Sequence, residues 1–243
     1  MVESSFSLAD FSPALIIFDK DGTLIDFNFM WASWVTELAH RLVRASNCAL
    51  ANSLYRAMGY DEANGRVIAG SPLAAHSMAN LRELTIWVAQ DAGLSREATE
   101  QAVAEAWFIP DPVTMARPVA DLPHIFATLR AHNILTAVAT SDDRAPTEIT
   151  LQTLGIAPYV NALVSADDDL PNKPAPDMLL RICHLLGIEP SRAVMVGDSV
   201  ADMQAAEAAG VPFRIGVLSG VTPRELLEPH VQVILPDIGA LVD

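Results

Sequence analysis

The chain has 243 residues, of which 51% are hydrophobic and 19% are charged, so it can bury a sizeable core. Its formal net charge is -15 and its pI is near 4.6, which argues against nucleic acid and anionic membranes as partners. No apolar run approaches the roughly eighteen residues of a membrane span, and the first residues do not resemble a secretory signal. Cys48 and Cys183 lack CxxC spacing, which favours free thiols in a reducing cytoplasm.

A short apolar run stands directly before two acids near the start of the chain. Residues 14–18 predict a buried strand that ends at Asp19, and Asp21 follows two positions later. On an extended chain both carboxylates can face one site while Lys20 turns away. Because like charges this close repel, a divalent cation is the simplest way to offset the repulsion. Gly22 would let the backbone approach a ligand, although an ordinary Asp/Gly turn remains the alternative.

A helical pattern occupies the next ninety or so residues, roughly 26–117. Apolar residues recur at helical spacing over three stretches: 28–58, 72–90 and 95–108. Several prolines then mark the exit from this block. We therefore expect an all-helical domain at 26–117, inserted into a core domain formed by residues 1–25 and 118–243.

From residue 122 onward, helical patterns alternate with short apolar runs. Strands are predicted at 134–139, 162–165, 193–196, 213–217 and 231–234, and helices at 122–132, 146–154, 176–186 and 202–209. This alternation predicts an α/β fold, with a Rossmann-like parallel sheet and helices on both faces. Ligands of such sheets bind at the carboxyl ends of the strands.

Polar residues follow four of the predicted strands. In chain order these residues are Asp19 with Asp21, Thr140 with Ser141, Lys173 in a proline-flanked loop, and Asp198 with Asp202. Asp198 and Asp202 are four positions apart and would share one side of a helix start. The chain has thirteen arginines but only two lysines, Lys20 and Lys173, and a compact ammonium suits a phosphate or a carboxylate cluster. Four clusters at one sheet edge predict a site.

These motifs resemble those of the haloacid dehalogenase (HAD) superfamily. The family's DxDG[TV] motif is matched by residues 19–23, and its strand-ending Ser or Thr by Thr140. Its Lys, often before Pro, is matched by Lys173, and its GDxxxD motif by residues 197–202. The helical insertion resembles the C1 cap, and the layout is similar to phosphoglycolate phosphatase-like members. The resemblance therefore implies a HAD-like core with an inserted all-helical cap.

The resemblance also implies a Mg²⁺-dependent phosphatase acting on a small cytosolic phosphate monoester such as phosphoglycolate. Asp19 would be the nucleophile that forms an aspartyl-phosphate, and Asp21 would be the general acid and then the general base. Asp19, the backbone carbonyl of Asp21, and Asp198 would hold the Mg²⁺. HAD members that act on haloacids lack the second aspartate, so Asp21 favours phosphate chemistry.

The remaining matched residues would bind the phosphoryl group or support the residues that do the chemistry. The Thr140 hydroxyl and the Ser141 backbone N–H would hold phosphoryl oxygens, and Lys173 would neutralise charge on the phosphoryl group and on Asp19. Gly22 would support the first motif. Asp202 is expected to support the metal ligands rather than to bind the metal directly.

Three further expectations concern residues around these motifs. Among the acids at 142, 143, 167, 168 and 169, Asp167 is expected to come nearest to the metal shell. Trp31 and Trp34 are expected to pack within the cap. Lys20 stands where many family members carry an apolar residue, and it could pair with an acid on the cap or the core.

Two alternative functions remain open. A phosphomutase of the same fold would return the phosphoryl group from Asp19 to a sugar. A catalytically silent scaffold would be expected to lack at least one of Asp19, Asp21, Lys173 or Asp198, and the sequence retains all four. The expected partner is a small phosphorylated metabolite, with no nucleic acid and no membrane, and either a monomer or a homodimer is compatible with the sequence.

Overall fold

The computed structural model of the chain describes residues 11–242, which form two compact units. The described residues up to Phe27 and from Pro112 onward make the first unit, and Asn28–Asp111 make the second. The second unit thus interrupts the first in sequence. The term cap domain implies a role in catalysis as well as a fold. The assignment of residues 26–117 as a cap domain therefore stays a prediction.

Strands and helices occupy most of the described chain. The strands are β1 Leu15–Phe18, β2 Tyr60–Asp61, β3 Arg66–Val67, β4 Leu135–Ala139, β5 Val160–Val164, β6 Ala193–Gly197, β7 Phe213–Val217 and β8 Val233–Leu235. The helices are α1 Phe27–Ser46, α2 Ala51–Met58, α3 Pro72–Ala75, α4 Met78–Asp91, α5 Arg96–Ala106, α6 Leu122–Ala131, α7 Arg144–Thr153, α8 Asp177–Leu186, α9 Val200–Ala208 and α10 Arg224–Leu227. In residues 11–242 no helix has the length and apolar character that crossing a membrane requires.

Six of these strands form one sheet in the order β5-β4-β1-β6-β7-β8, and every neighbouring pair is parallel. β1 lies inside the sheet, where Phe18 is in register with Val138 on β4 and with Val196 on β6. All four residues of β1 are completely buried, as expected for a central strand covered on both faces. The predicted Rossmann-like parallel α/β core is confirmed.

Helices cover both faces of this sheet. Side chains alternate along β1, so that apolar residues point to both faces and each face packs against helices. Leu15 and Ile17 belong to a buried cluster with residues of α8 and α9, such as Met178 and Ala205. The Phe18 ring, which points the other way, lies 5.1 Å from the ring of Phe126 on α6. Both layers hold the carboxyl end of β1 in place.

The second unit combines α1 to α5 with a two-stranded antiparallel ribbon of β2 and β3. The expectation of an entirely helical insertion is therefore wrong in this detail. Gly59 has φ 78° and ends α2 in the left-handed conformation, which glycine adopts without steric cost. The Asp61 carboxylate then accepts hydrogen bonds from Asn64 and closes the turn of the ribbon.

Two predicted helices are each divided in two. The stretch 28–58 breaks at Asn47, which has φ 53°, a conformation that asparagine tolerates better than most residues. The stretch 72–90 breaks at His76, and the Ser77 side chain then caps α4. Apolar periodicity continues across both breaks, so the pattern alone did not locate them.

The tryptophans of α1 pack inside the second unit, as predicted. Trp34 is completely buried, and its Nε1 donates to the Phe108 carbonyl at 3.0 Å. The rings of Trp31 and Trp107 contact it edge-on, at centroid distances of 5.8 Å and 5.4 Å. Such edge-to-face contacts stabilise a core beyond simple area burial.

Candidate active site

The carboxyl ends of β1, β4 and β6 meet at one edge of the sheet. Asp19 follows β1, Thr140 follows β4 and Asp198 follows β6. The Asp19 N–H donates to the Val196 carbonyl at 2.9 Å, and the Thr140 N–H donates to the Val164 carbonyl at 3.0 Å. Because the strand pairing continues into the motif residues, their backbones are fixed by the sheet.

Three buried carboxylates lie together at this edge. Asp19, Asp198 and Asp202 each offer one oxygen, and these oxygens lie within 4.8 Å of one another. Their exposed fractions are 7%, 4% and 1%. Burial, with repulsion from the neighbouring carboxylates, raises the pKa of Asp19 to about 7 and the pKa of Asp198 well above its ordinary range. Carboxylate oxygens are the ligands that hard divalent cations prefer, and a cation bound among these three would offset the repulsion that contributes to the raised pKa values.

The Lys173 ammonium lies within the same group. Its Nζ donates to Asp19 Oδ1 at 2.6 Å, to Asp202 Oδ1 at 2.6 Å and to the Ala139 carbonyl at 2.9 Å. Burial alone would lower the pKa of Lys173, but attraction by the two carboxylates outweighs it and raises that pKa above its ordinary value. Lys173 therefore remains a buried cation that balances part of the carboxylate charge.

Asp202 connects this group to the start of α9. Its backbone N–H donates to Ser199 Oγ at 3.2 Å, and its Oδ2 accepts from the Ser199 backbone N–H at 3.1 Å. These reciprocal bonds form a capping box, which satisfies two otherwise unpaired donors at the helix start. Since Oδ1 accepts from Lys173, both carboxylate oxygens already have partners, and the supporting role of Asp202 stays a prediction.

Two glycines and a loop after β7 enclose the Asp198 side chain. A Cβ on Gly22 would lie 2.7 Å from Asp198 Oδ2, and a Cβ on Gly220 would overlap that oxygen. The Val221 N–H donates to Asp198 Oδ2 at 3.2 Å, and Ser219 Oγ donates to the Gly22 carbonyl at 2.7 Å. Residues 219–221 were not predicted as part of the site, because their only signal in the sequence is a polar, glycine-containing turn after another predicted strand.

Lys20 does not turn away from the acids, so that expectation was wrong. Its side chain is 1% exposed, and Nζ lies 2.8 Å from Asp21 Oδ2 and 2.9 Å from Asp142 Oδ2. A buried ammonium requires such partners because a charge that loses its hydration without gaining a partner costs a large amount of free energy. Asp142 is an acid of the core unit, so the predicted pairing of Lys20 with a cap or core acid is met there.

The other predicted residues lie at the same edge in different environments. Thr140 is 1% exposed, and its Oγ1 accepts from the Asp142 N–H at 3.1 Å, while Ser141 is exposed. Among residues 11–242, the group of three carboxylates does not include Asp167, and its approach to the metal shell stays a prediction. Asp167 Oδ1 instead accepts from the backbone N–H of Arg144 at 2.9 Å, at the start of α7.

Comparison with known proteins shows the family to which the chain belongs. A family model described as a haloacid dehalogenase-like hydrolase matches residues 13–210. A phosphoglycolate phosphatase of Rhodospirillum rubrum is 28% identical over 200 residues, covering 82% of this chain and 78% of that protein. Since the family model spans most of the chain and all four motifs, the protein belongs to the haloacid dehalogenase-like hydrolases.

Solved structures share the fold. A HAD-superfamily hydrolase from Geobacter sulfurreducens aligns with a TM-score of 0.66 and 21% identity, covering 97% of this chain and 100% of that one. A candidate beta-phosphoglucomutase from Thermotoga maritima aligns with a TM-score of 0.65 and 19% identity, covering 93% and 96% of the two chains. At these identities the likeness concerns the fold alone.

Proposed function

We propose that this hydrolase is a Mg²⁺-dependent phosphatase that cleaves a small phosphate monoester of the phosphoglycolate type through an aspartyl-phosphate on Asp19. The observation that carries the proposal is the placement of Asp19, buried beside Asp198 and hydrogen-bonded to the Lys173 ammonium at 2.6 Å. A buried carboxylate with a cation on one side and further carboxylates on the other suits attack on a phosphoryl group. The similarity to the Rhodospirillum rubrum phosphatase supports the substrate class.

The residues present fit a magnesium ion. Asp19, Asp198 and the Asp21 backbone carbonyl would hold it, giving oxygen ligands only, which Mg²⁺ prefers. Gly22 and Gly220 lack side chains, so there is room for the Asp198 carboxylate at the edge of the sheet. Bound there, the cation would neutralise negative charge on Asp19 and on the phosphate ester, so that the two can approach.

The first step transfers the phosphoryl group to the enzyme. A carboxylate oxygen of Asp19 attacks phosphorus and forms an O–P bond, while the P–O bond to the leaving group breaks. Asp21 as general acid gives its proton to the leaving oxygen, which departs as an alcohol. The Thr140 hydroxyl, the Ser141 N–H and Lys173 hold the phosphoryl oxygens, on which charge spreads in the transition state.

The second step regenerates Asp19. Asp21, now a carboxylate, takes a proton from water as the water oxygen bonds to phosphorus. The bond from phosphorus to Asp19 breaks, which releases inorganic phosphate and restores the nucleophile. The same residue thus serves first as acid and then as base, and the proton count is balanced after one turnover.

The wider setting is part of the same proposal. The partner is a small phosphorylated metabolite, and the strongly acidic chain is a cytoplasmic protein that binds neither nucleic acid nor anionic membranes. Residues 26–117 are proposed to act as the cap domain that selects the leaving group.

The test is phosphate release from phosphoglycolate, p-nitrophenyl phosphate and hexose phosphates, with Mg²⁺ and with EDTA. Wild type should turn over only with Mg²⁺, and Asp19→Asn should lose at least about a thousandfold in rate. Asp91→Asn, which changes an exposed acid of the second unit, should match wild type. Isomerised hexose phosphate without free phosphate would point to a phosphomutase, and no turnover of any ester would contradict the proposal.

A further inference from the structure

Lys20 is a buried cation to which the proposed reaction gives no role. Only 1% of it is exposed, and its ammonium contacts two carboxylates, Asp21 and Asp142. Replacing a buried ion pair with apolar residues of similar volume is often neutral or stabilising. Stability alone therefore does not explain a lysine here, particularly in a chain with only two lysines among fifteen basic residues.

The two partners of Lys20 belong to different loops of the site. Asp21 follows β1, whereas Asp142 follows β4 and donates its N–H to Thr140 Oγ1 at 3.1 Å. The backbone of Lys20 is itself fixed, because its carbonyl accepts from the Leu24 N–H at 2.8 Å within a tight turn. The lysine side chain therefore ties the loop of Asp21 to the loop that carries Thr140.

We propose that Lys20 is a positioning residue: its ammonium holds one oxygen of Asp21, fixes the Asp21 carboxyl group relative to the Thr140–Asp142 loop, and leaves the other oxygen to carry the proton. Asp21 then meets the leaving oxygen of a phosphoryl group held by that loop. This inference rests on the proposed function, because Asp21 delivers a proton only when a phosphate ester is cleaved. A displacement of about 1 Å between reacting groups can cost about a hundredfold in rate.

The leaving group provides a readout that a purely structural role would not change. When the ester P–O bond breaks, an alkoxide needs the proton of Asp21, whereas p-nitrophenolate is stable enough to leave without it. The value of kcat/KM covers the steps up to phosphoryl transfer to Asp19 and excludes the later hydrolysis of the phosphoenzyme. A misplaced Asp21 should thus lower kcat/KM for an alkyl phosphate much more than for p-nitrophenyl phosphate.

The experiment compares kcat/KM for phosphoglycolate and for p-nitrophenyl phosphate, with Mg²⁺, in wild type and in variants. Asp21→Asn removes the general acid itself, so it gives the largest expected difference between the losses of kcat/KM for the two esters. Lys20→Met should lower kcat/KM for phosphoglycolate about tenfold more than for p-nitrophenyl phosphate. Lys20→Arg keeps the charge and should recover part of the loss. Asp142→Asn removes one of the two carboxylates that hold the ammonium. It should also lower kcat/KM more for phosphoglycolate than for p-nitrophenyl phosphate, but by a smaller factor than Lys20→Met.

Arg144→Met is the control, since it removes another ion pair at this sheet edge, with Asp168, and should affect both esters equally. Equal loss for the two esters in Lys20→Met and Asp142→Asn would overturn the positioning role while leaving the proposed function intact. If Lys20→Met does not fold, Asp142→Asn alone decides. If wild type releases no phosphate, or Asp21→Asn does not discriminate, the proposed role of Asp21 fails and the role of Lys20 fails with it.

Discussion

The Lys173 ammonium donates to Asp19 Oδ1 at 2.6 Å, although 154 positions separate the two residues in the chain. The same ammonium donates to Asp202 Oδ1 at 2.6 Å. One cation therefore balances two buried carboxylates, and its removal would leave both acids away from water without a positive partner.

Lys173→Met should lower the free energy of unfolding by about 3–5 kcal/mol, because Asp19 and Asp202 would remain buried without their cation. Urea denaturation followed by circular dichroism measures this change. The double variant Lys173→Met/Asp202→Asn removes one of the stranded charges and should recover part of the lost stability. A double variant that is less stable than Lys173→Met would contradict this account.

Gly220→Ala should weaken Mg²⁺ binding, because the added Cβ overlaps Asp198 Oδ2 and the carboxylate must move. We expect the Mg²⁺ concentration that gives half-maximal phosphate release to rise about tenfold or more, as for other disturbances around metal ligands. Gly210→Ala is the control: it has φ 77° and open space around it, so it should lose about 1 kcal/mol of stability. Its Mg²⁺ requirement should stay at the wild-type value.

Ser199→Ala removes the hydroxyl of the capping box at the start of α9. Loss of a cap of this kind costs about 0.5–2 kcal/mol of stability, measurable by thermal denaturation. Ser95→Ala removes a comparable cap, since Ser95 Oγ accepts from the Ala98 N–H at 3.2 Å in the second unit. Both variants should lose similar stability, but only Ser199→Ala should also lower kcat, because Ser199 holds the carboxylate that contacts Lys173. Equal kcat values for the two variants would speak against this link.

Asp168→Asn should give a stability loss that depends on pH. The Arg144 guanidinium donates to Asp168 Oδ1 at 2.7 Å and holds the pKa of that carboxyl below its ordinary value. A depressed pKa stabilises the folded state above the unfolded pKa, about 3.9, and this stability is lost as the pH falls through the folded pKa. The difference between wild type and Asp168→Asn should be about 1 kcal/mol at neutral pH, since the pair is partly exposed. It should vanish once the pH has fallen below the folded pKa of Asp168, and a difference that stays constant with pH would exclude the ion pair as its cause.

Much of the core follows from sequence because its strands are continuous apolar runs. Residues 14–18 predicted β1, and 193–196 predicted β6, each within one residue of the observed bounds. The order of polar residues after these strands was equally readable, because parallel strands bring their carboxyl ends to one edge. For that reason the sequence alone predicts that Asp19, Thr140 and Asp198 lie together.

The details that escaped prediction depend on contacts distant in sequence. Alternation along a strand predicted that Lys20 points away from the acids. Its four-carbon side chain is long enough to bend back towards them. Because the ammonium is buried, it needs a carboxylate partner, and Asp21 and Asp142 supply two. The enclosure of Asp198 by Gly220 requires the loop after β7 to reach the end of β6. Nothing local to residues 219–221 specifies that neighbour.

The position of β1 in the sheet also bears on how the protein is made. Leu15 pairs with Leu135 on one side and with Ala193 on the other. On the ribosome, this apolar strand leaves the exit tunnel long before either neighbour has been synthesised, whereas residues 28–111 can form their helices from local contacts as they emerge. The nascent chain thus carries an unpaired, aggregation-prone edge through most of translation, and the active site assembles only after β6 has been added.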